Sequence, residues 1–480
     1  MRVNRKALLR GTGRAAAVLA VAGAAAAAVF GATQLALPTL AVEPPSALVQ
    51  PAESSQLRVC PGPLLELAGD ASDATAASSF GTAAVAIAAD PADAVVEQAP
   101  IEAPDNAGAG ADGGPLAISA EPGSVEGGML AGAQAQQAAA ESVSGLAAAA
   151  CAEPAAESWL VAGATDVGRS GLVLLANPGL VASNVDVRVF GETGPIDAPG
   201  ALGIVVPPGT QRVVSLAGLA PNVRSTVVHV TSTGAPVAAA LQHSVVLGLD
   251  AAGVELSTPT ALPADRQVIP GFTVADGRGV DPQEDHAEGD DHPAVRLYAP
   301  GGGEVAAVVR VLGEDGSETG RVDVTLVDGQ VSDVPLGALT AGRHTLVVEA
   351  DAPVVAAARA TVLGTGDEAT QADLAWHPAT GPLLERAAVA VPQAPGPVLH
   401  LANPGEEATT ATVVAGTDER ELTLEGGAAA SVDLQPGERV VLEDVQGLHA
   451  GLTFGEPQAI AAMPVAPPGP LDAPVRVYPG

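Results

Sequence analysis

The sequence predicts a mainly β protein: tandem antiparallel β-sandwich domains of immunoglobulin-like kind, behind an N-terminal transmembrane helix. Three observations predict this fold. A strand-and-turn fragment recurs along the chain. Apolar and polar residues alternate between its copies. One long uncharged segment stands near the start.

The fragment reads Leu-Val-Leu-Leu-Ala-Asn-Pro-Gly at 172–179, Ala-Val-Arg-Leu-Tyr-Ala-Pro-Gly at 294–301 and Val-Leu-His-Leu-Ala-Asn-Pro-Gly at 398–405. Each copy is an apolar run into a Pro-Gly turn. A unit that returns at a fixed spacing signals a repeated domain. A second landmark is a turn Gly followed by a Leu, as Gly209/Leu216, Gly329/Leu336 and Gly427/Leu434. A third closes each copy, at Ala235-Pro236-Val237, Ala352-Pro353-Val354 and, more loosely, Glu456-Pro457-Gln458. Between landmarks the period is two, as in Val185-Asp186-Val187-Arg188-Val189 and Val322-Asp323-Val324-Thr325-Leu326. Alternation puts one face in a core and the other in water. Short strands between Gly, Pro, Asn and Asp turns read as antiparallel sandwiches. No intervening helical pattern suggests parallel βαβ units. The repeats are placed at 159–262, 266–366 and 372–480.

The turn residues are Asn177, Pro178 and Gly179; Pro300 and Gly301; and Asn403, Pro404 and Gly405. Ala299 stands where the other copies carry Asn. The motif therefore reads as turn geometry and not as an active site.

Residues 1–14 hold Arg2, Arg5, Lys6, Arg10 and Arg14 and no acid, and form a cytoplasmic basic segment. Residues 15–42 carry no charge. The apolar part, 15–37, is long enough to span a bilayer, and the basic flank orients it with the N-terminus inside. An uncleaved anchor is the first reading, which leaves residues 43–480 outside. Secretion after cleavage near Ala41 is the alternative. Residues 43–158 form a low-complexity stalk and an N-terminal module. The module is expected to be β-rich: Ala83–Ile87 and Leu116–Ile118 suggest strands, Ala131–Ala150 favours helix by propensity although Gly132 and Gly145 interrupt it, and Ala103–Gly114 suggests disorder.

The net charge is −34, and Lys6 is the only lysine. Such a surface repels phosphate backbones, which argues against nucleic acid as a partner. The two cysteines, Cys60 and Cys151, lie in the exported part and most simply pair as a disulfide. No His stands near them to complete a metal site.

Catalytic constellations are scarce. Gly168-Arg169-Ser170-Gly171 lacks the spacing of a nucleophile elbow and reads as a turn. No phosphate loop exists without a second lysine. The acidic loop 281–292 carries Asp281, Glu284, Asp285, Glu288, Asp290 and Asp291 with His286 and His292; it lacks the spacing of a calcium loop, so a solvated loop is the first reading and weak divalent-cation binding the second. His229, His243, His344, His400 and His449 read as surface or rim residues. Trp159 and Trp376 each precede a repeat strand; core packing is the first expectation and a sugar-stacking platform the second. No catalytic residue, cofactor or metal ligand is assigned, and no enzyme is expected.

The order of features resembles a family of uncharacterised, exported actinobacterial proteins, a domain of unknown function. The resemblance rests on the basic N-terminus and apolar segment and on Cys60-Pro61-Gly62-Pro63-Leu64. It continues through the Ala-rich run into Cys151, Trp159-Leu160-Val161-Ala162-Gly163 and Asn177-Pro178-Gly179. It covers roughly residues 57–480. It implies an envelope location and no catalytic residues. Members are often encoded beside a family 2 glycosyltransferase, so the resemblance implies a part in envelope glycan assembly. The expected function is a scaffold or interaction module, with an accessory role to such a glycosyltransferase or glycan binding as alternatives.

Overall fold

The structure is a computed structural model that describes residues 55–67, 77–140, 142–275, 292–364 and 371–467, with Ala20, Ala24, Ala47–Val49 and Val475–Val477. The transmembrane segment 15–37 and all of the acidic loop 281–292 except His292 lie outside the described residues. Among the described residues no helix is long and apolar enough to cross a membrane. The chain forms two units. In one, Ala47–Val49 pairs antiparallel with Val475–Val477. The other spans Ala52–Asp472 and is described from here on.

This larger unit is mainly β, and its sheets are antiparallel. The first repeat has eight strand positions: Glu157–Val161, Arg169–Asn177, Ser183–Gly191, a split fourth at Gly194–Ile196 and Ile204–Val206, Thr210–Ser215, Val227–Gly234, Ala238–Leu247 and Asp250–Ser257. One sheet runs first, sixth, third, fourth. The other runs fifth, second, seventh, eighth. The alternating residues Val185, Val187 and Val189 face Val173 and Leu175 of the opposite sheet, and all are buried.

The second repeat uses the same order. Its sixth and seventh positions are two halves of one long bent strand, Gly342–Leu363, which serves both sheets. The bend falls at Ala352-Pro353. The first repeat breaks at the same place, at Ala235-Pro236, where Val227–Gly234 ends and Ala238–Leu247 begins. Proline cannot donate to a ladder, which suits a point where a strand changes sheets. The third repeat follows the order again, from Arg386–Ala390 to Ala459–Pro464. Here Glu456 ends the seventh strand and Pro457 stands before the eighth, so this landmark is not equivalent to the other two Pro landmarks. The middle landmark is equivalent in all three. Gly209, Gly329 and Gly427 have φ of 65°, 69° and 78° and precede the fifth strand. Leu216, Leu336 and Leu434 are buried.

Strand pairing shifts one boundary. Gln371–Pro378, placed by sequence in the third repeat, pairs with the long strand of the second and closes that sandwich. Trp376 is therefore on an eighth strand, whereas Trp159 is on a first strand.

The N-terminal module is a fourth, shortened copy. Gln56–Cys60, Leu116–Ala120 and Val96–Pro100 form one sheet, with Leu116–Ala120 in the middle. Ala84–Ala89, Leu130–Ala139 and Ser144–Ala150 form the other, with Leu130–Ala139 in the middle. This is the repeat order without the fourth and fifth strands. The module is β-rich, as expected, and the stretch 131–150, whose alanines favour helix, is a hairpin: tertiary pairing overrides alanine's helix propensity. The stretch 103–114 holds the short helix Ala109–Asp112, and Asp105 before it pairs with Arg212 of the first repeat at 2.6 Å.

The eighth strands interlock the copies. Leu374 and Trp376, from the second repeat, are buried in the first repeat's core. Ile460 and Ala462, from the third, are buried in the second repeat's core. Val254 and Leu256, from the first, pack with Leu64, Leu65 and Ala147 of the N-terminal sandwich. Leu146 and Ala148, from the N-terminal sandwich, lie in the third repeat's core. The series closes on itself, so the four sandwiches form a ring with the eighth strands at its centre. In the last two repeats these strands alternate: Ala375 faces its own core, and so do Ala461 and Met463. A strand with period two can serve two cores at once.

Candidate functional site

The chemistry of the unit is concentrated where the eighth strands meet. Asp373 is fully buried there. Its Oδ2 accepts the backbone N–H of Leu146 at 2.8 Å and of Ile460 at 3.0 Å. Its Oδ1 accepts the N–H of Val254 at 3.2 Å and of Leu374 at 2.9 Å. One carboxylate thus binds a backbone donor from each of the four eighth strands. The aligned positions explain how it fits. Where Asp373 stands in the second repeat, the other copies have Gly145, Gly253 and Ala459. Gly145 and Gly253 have φ of 136° and 135°. A Cβ on Gly145 would lie 2.3 Å from Asp373 Oδ1. Small residues leave room for the single acid.

Glu255 lies beside it, also fully buried. Its carboxyl accepts the N–H of Leu256 at 2.7 Å and of Trp376 at 3.3 Å. Burial pushes Glu255 well above the ordinary carboxylate range, and the charge of Asp373 adds to the rise. Burial raises Asp373 to about 7 against the lowering pull of its four N–H donors.

A second buried cluster joins the first and second repeats. Arg296 binds Asp333 bidentately, at 2.7 and 2.8 Å, and donates to Gly163 O at 2.6 Å and Thr226 O at 3.0 Å. Its guanidinium lies 4.5 Å from the centre of the Trp376 ring. Burial raises the Asp333 carboxyl, but Arg296 and Arg359 outweigh it and hold it below its ordinary value. Every donor direction of Arg296 that the structure shows ends on protein, so this arginine cements the interface.

Four of the five histidines read as surface or rim residues are buried. His243 and His344 lie in line with Leu241 and Leu346 of their own cores, whereas His400 and His449 lie on outer sheet faces that a neighbour covers; His229 is half-buried. His400 contacts Thr453 Oγ1 at 2.7 Å and Ser431 Oγ at 3.0 Å and lies against Gly271 of the second repeat. Burial lowers His377 and His400 to about 3 and His449 to about 4. His229 stacks on Trp159 with ring centres 3.9 Å apart. Trp159 and Trp376 are both buried, as core packing requires, and present no open face to a sugar.

The remaining sequence-predicted residues are structural. Cys60 and Cys151 form a disulfide that joins the end of the first strand to the end of the eighth in the N-terminal sandwich. Asn177 donates to Val181 O and Val206 O and accepts from Gly179 N. Asn403 repeats this with Glu407 O, Leu424 O and Gly405 N. In both copies the amide ties the Pro-Gly turn to the end of the fourth strand. The amide is therefore used where it is present, although Ala299 shows that the turn forms without it. Pro300 and Gly301 form the equivalent turn after Ala294–Tyr298.

Sequence reading missed Asp373 and Glu255 as a pair, since each sits in an ordinary alternating strand. A signal did exist: Gly145-Leu146, Gly253-Val254, Asp373-Leu374 and Ala459-Ile460 occupy one register in four copies.

Residues 105–435 match a family of unknown function (DUF5719). The chain belongs to that family. The family span begins inside the N-terminal sandwich and takes in Asp373, Glu255 and three of the four eighth strands; Ala459–Pro464 lies beyond it. No curated protein matches. Two solved structures of infectious bursal disease virus, Gt and Gx strains, align at 12% identity each. They cover 87% and 86% of this chain and 83% of theirs, with TM-scores of 0.10, and carry no argument about it.

Proposed function

We propose that this protein is a non-catalytic scaffold or interaction module of the actinobacterial cell envelope. In this reading one N-terminal helix anchors it in the membrane and residues 43–480 lie outside. The observation that carries the proposal is the interlocked ring. Each sandwich gives its eighth strand to a neighbour's core, and the buried acid Asp373 bonds all four strands together. Such a body holds its surface loops in fixed relation, which suits presentation of binding surfaces. The Cys60–Cys151 disulfide supports an oxidising compartment, because cytosolic thiols are kept reduced.

The test is crosslinking in intact cells followed by identification of what is captured. A scaffold joins envelope proteins or glycan reproducibly. Capture of a membrane glycosyltransferase assigns the scaffold to glycan assembly. Hydrolase or transferase activity in purified residues 43–480, abolished by one point substitution, refutes the proposal.

A further inference from the structure

We propose that the open side of the N-terminal sandwich docks one extended, basic segment of a partner protein, which takes the place of the missing fourth and fifth strands. The proposal deepens the reading of the protein as an interaction module and rests on that reading.

In the first repeat the fourth strand closes the edge of the third, and the fifth closes the edge of the second. The N-terminal sandwich has neither. Its third strand, Val96–Pro100, pairs with Leu116–Ala120, and its second, Ala84–Ala89, pairs with Leu130–Ala139. Among the described residues no strand pairs with the other side of either one. The eighth strand holds the opposite edge of the second sheet, so the open side faces away from the centre of the ring. One end of it is stopped by the third repeat, where Arg439 donates to Ala89 O.

The core is open on the same side. Ile87 and Val96 pack on Cys60, Ile118 and Leu130 but are only half-buried. Val85 is 38% exposed and Val95 is 74% exposed. The inward residues of the same two strands in the first repeat, Val173, Leu175, Val185, Val187 and Val189, are all buried. The missing strands account for the difference. A bare edge beside half-buried apolar side chains accepts an added strand: backbone hydrogen bonds supply affinity, and alternate side chains fill the core.

Charge selects the occupant. No Lys or Arg stands between Arg58 and Arg169. Asp93 and Glu97 are exposed beside the open edge. A second copy would bring the same acids edge to edge, and like charges directly opposite destabilise a strand pair. A segment that alternates apolar residues with Lys or Arg meets both the core and the acids. The chain itself shows such a segment. Residues 203–216 supply the second half of the fourth strand and the fifth strand in the first repeat, and they contain Arg212 and no acid. The corresponding residues of the third repeat, 418–434, carry five acids and one Arg.

Two measurements on the full chain test the proposal. In detergent micelles, backbone hydrogen exchange is followed with and without a synthetic peptide of residues 203–216. The free chain should exchange fast across 96–98, and the peptide should slow exchange there while Ala238–Leu247 stays unchanged. Glu97→Lys with Asp93→Lys should weaken the peptide about ten-fold, because the reversed charges oppose Arg212. A peptide of residues 418–434 should give no protection. In intact cells, a photoreactive residue replaces Gln98 or, as a control, Glu419 on the exposed edge strand Asp418–Leu424 of the third repeat. A segment captured from position 98 and not from 419, alternating apolar and basic residues, supports the proposal. Slow exchange across 96–98 in the free chain means that another part of the chain fills the place, and overturns it. Absence of protection by 203–216 also overturns it, as does a captured segment that is acidic or belongs to a second copy. Partners captured elsewhere on the protein, with none from position 98, overturn this inference and leave the interaction-module reading standing. No capture by any route overturns both.

Discussion

Replacing Asp373 by Asn tests the centre of the ring. The side chain keeps its shape but loses one of two acceptor oxygens. Oδ1 serves Val254 and Leu374, and Oδ2 serves Leu146 and Ile460. Whichever way the amide faces, two buried N–H groups meet an NH2 that cannot accept. At about 1–3 kcal/mol for each orphaned donor, the loss is about 2–6 kcal/mol. Charge works the other way. Asp373 titrates near 7 in the folded chain, against 3.8 as its ordinary value. A raised folded pKa contributes stability that is fully present below the unfolded pKa and is lost as pH rises through the folded one. From pH 4 to 8 the parent loses up to about 4 kcal/mol from this group, at about 1.4 kcal/mol per unit. Asn does not titrate. Near pH 4 the parent acid is protonated, and its hydroxyl oxygen still accepts weakly where an amide nitrogen cannot, so urea denaturation of residues 43–480 should find D373N less stable there by at most about 2–6 kcal/mol, with the gap closing by pH 8. Parallel profiles, or equal midpoints near pH 4, refute the reasoning.

Three other outcomes follow from neighbouring contacts. His377, His400 and His449 have folded pKa values near 3, 3 and 4, so the unfolded chain takes up protons first as pH falls through about 6.5. Each costs about 2 kcal/mol at pH 5, and His400→Gln should flatten the acid limb of the stability profile by about that amount. Gly145→Ala places a methyl 2.3 Å from Asp373 Oδ1 at a φ of 136° and should cost about 2–4 kcal/mol by denaturant titration. Asn403→Ala strands the carbonyls of Glu407 and Leu424 and should cost about 1–3 kcal/mol in the same assay, whereas Ala299→Asn in the second repeat should not destabilise.

The repeat was legible because turns demand particular residues. Gly209, Gly329 and Gly427 need positive φ, and Asn177 and Asn403 tie turn to strand. The fourth copy was partly written in the same signs. Cys60-Pro61-Gly62 matches Ile269-Pro270-Gly271, and Ala89-Asp90-Pro91 matches Ala402-Asn403-Pro404. It escaped notice because its fourth and fifth strands are missing, which removes the middle landmark. The interlock was not legible. Strand alternation reports that a face is buried but not whose core buries it, so Trp376 read as a core residue of the third repeat although it is buried in the first. The burial of His400 and His449 was hidden for the same reason: a polar residue on an outer face looks solvated until another sandwich covers it.

The interlock also accounts for a composition that is poor material for isolated sandwiches. Aromatics are 2% of the chain, and much of the apolar content is Ala and Val. Small side chains bury little area each, and burial is the main favourable term in folding. A sandwich of about 100 residues built from them alone has a thin margin. Borrowed strands supply what is missing: the first repeat's core receives Leu374 and Trp376, and the second receives Ile460. A core completed by a neighbour cannot outlive that neighbour, so the sandwiches should melt together. Calorimetry of residues 43–480 should then show one cooperative transition, with calorimetric and van't Hoff enthalpies in agreement. Separate transitions for separate repeats would mean that the shared strands do not couple the cores. The D373N variant distinguishes the two cases, because an acid bonded to four strands should shift the whole transition, whereas an acid that matters only to the second repeat should shift one part of it.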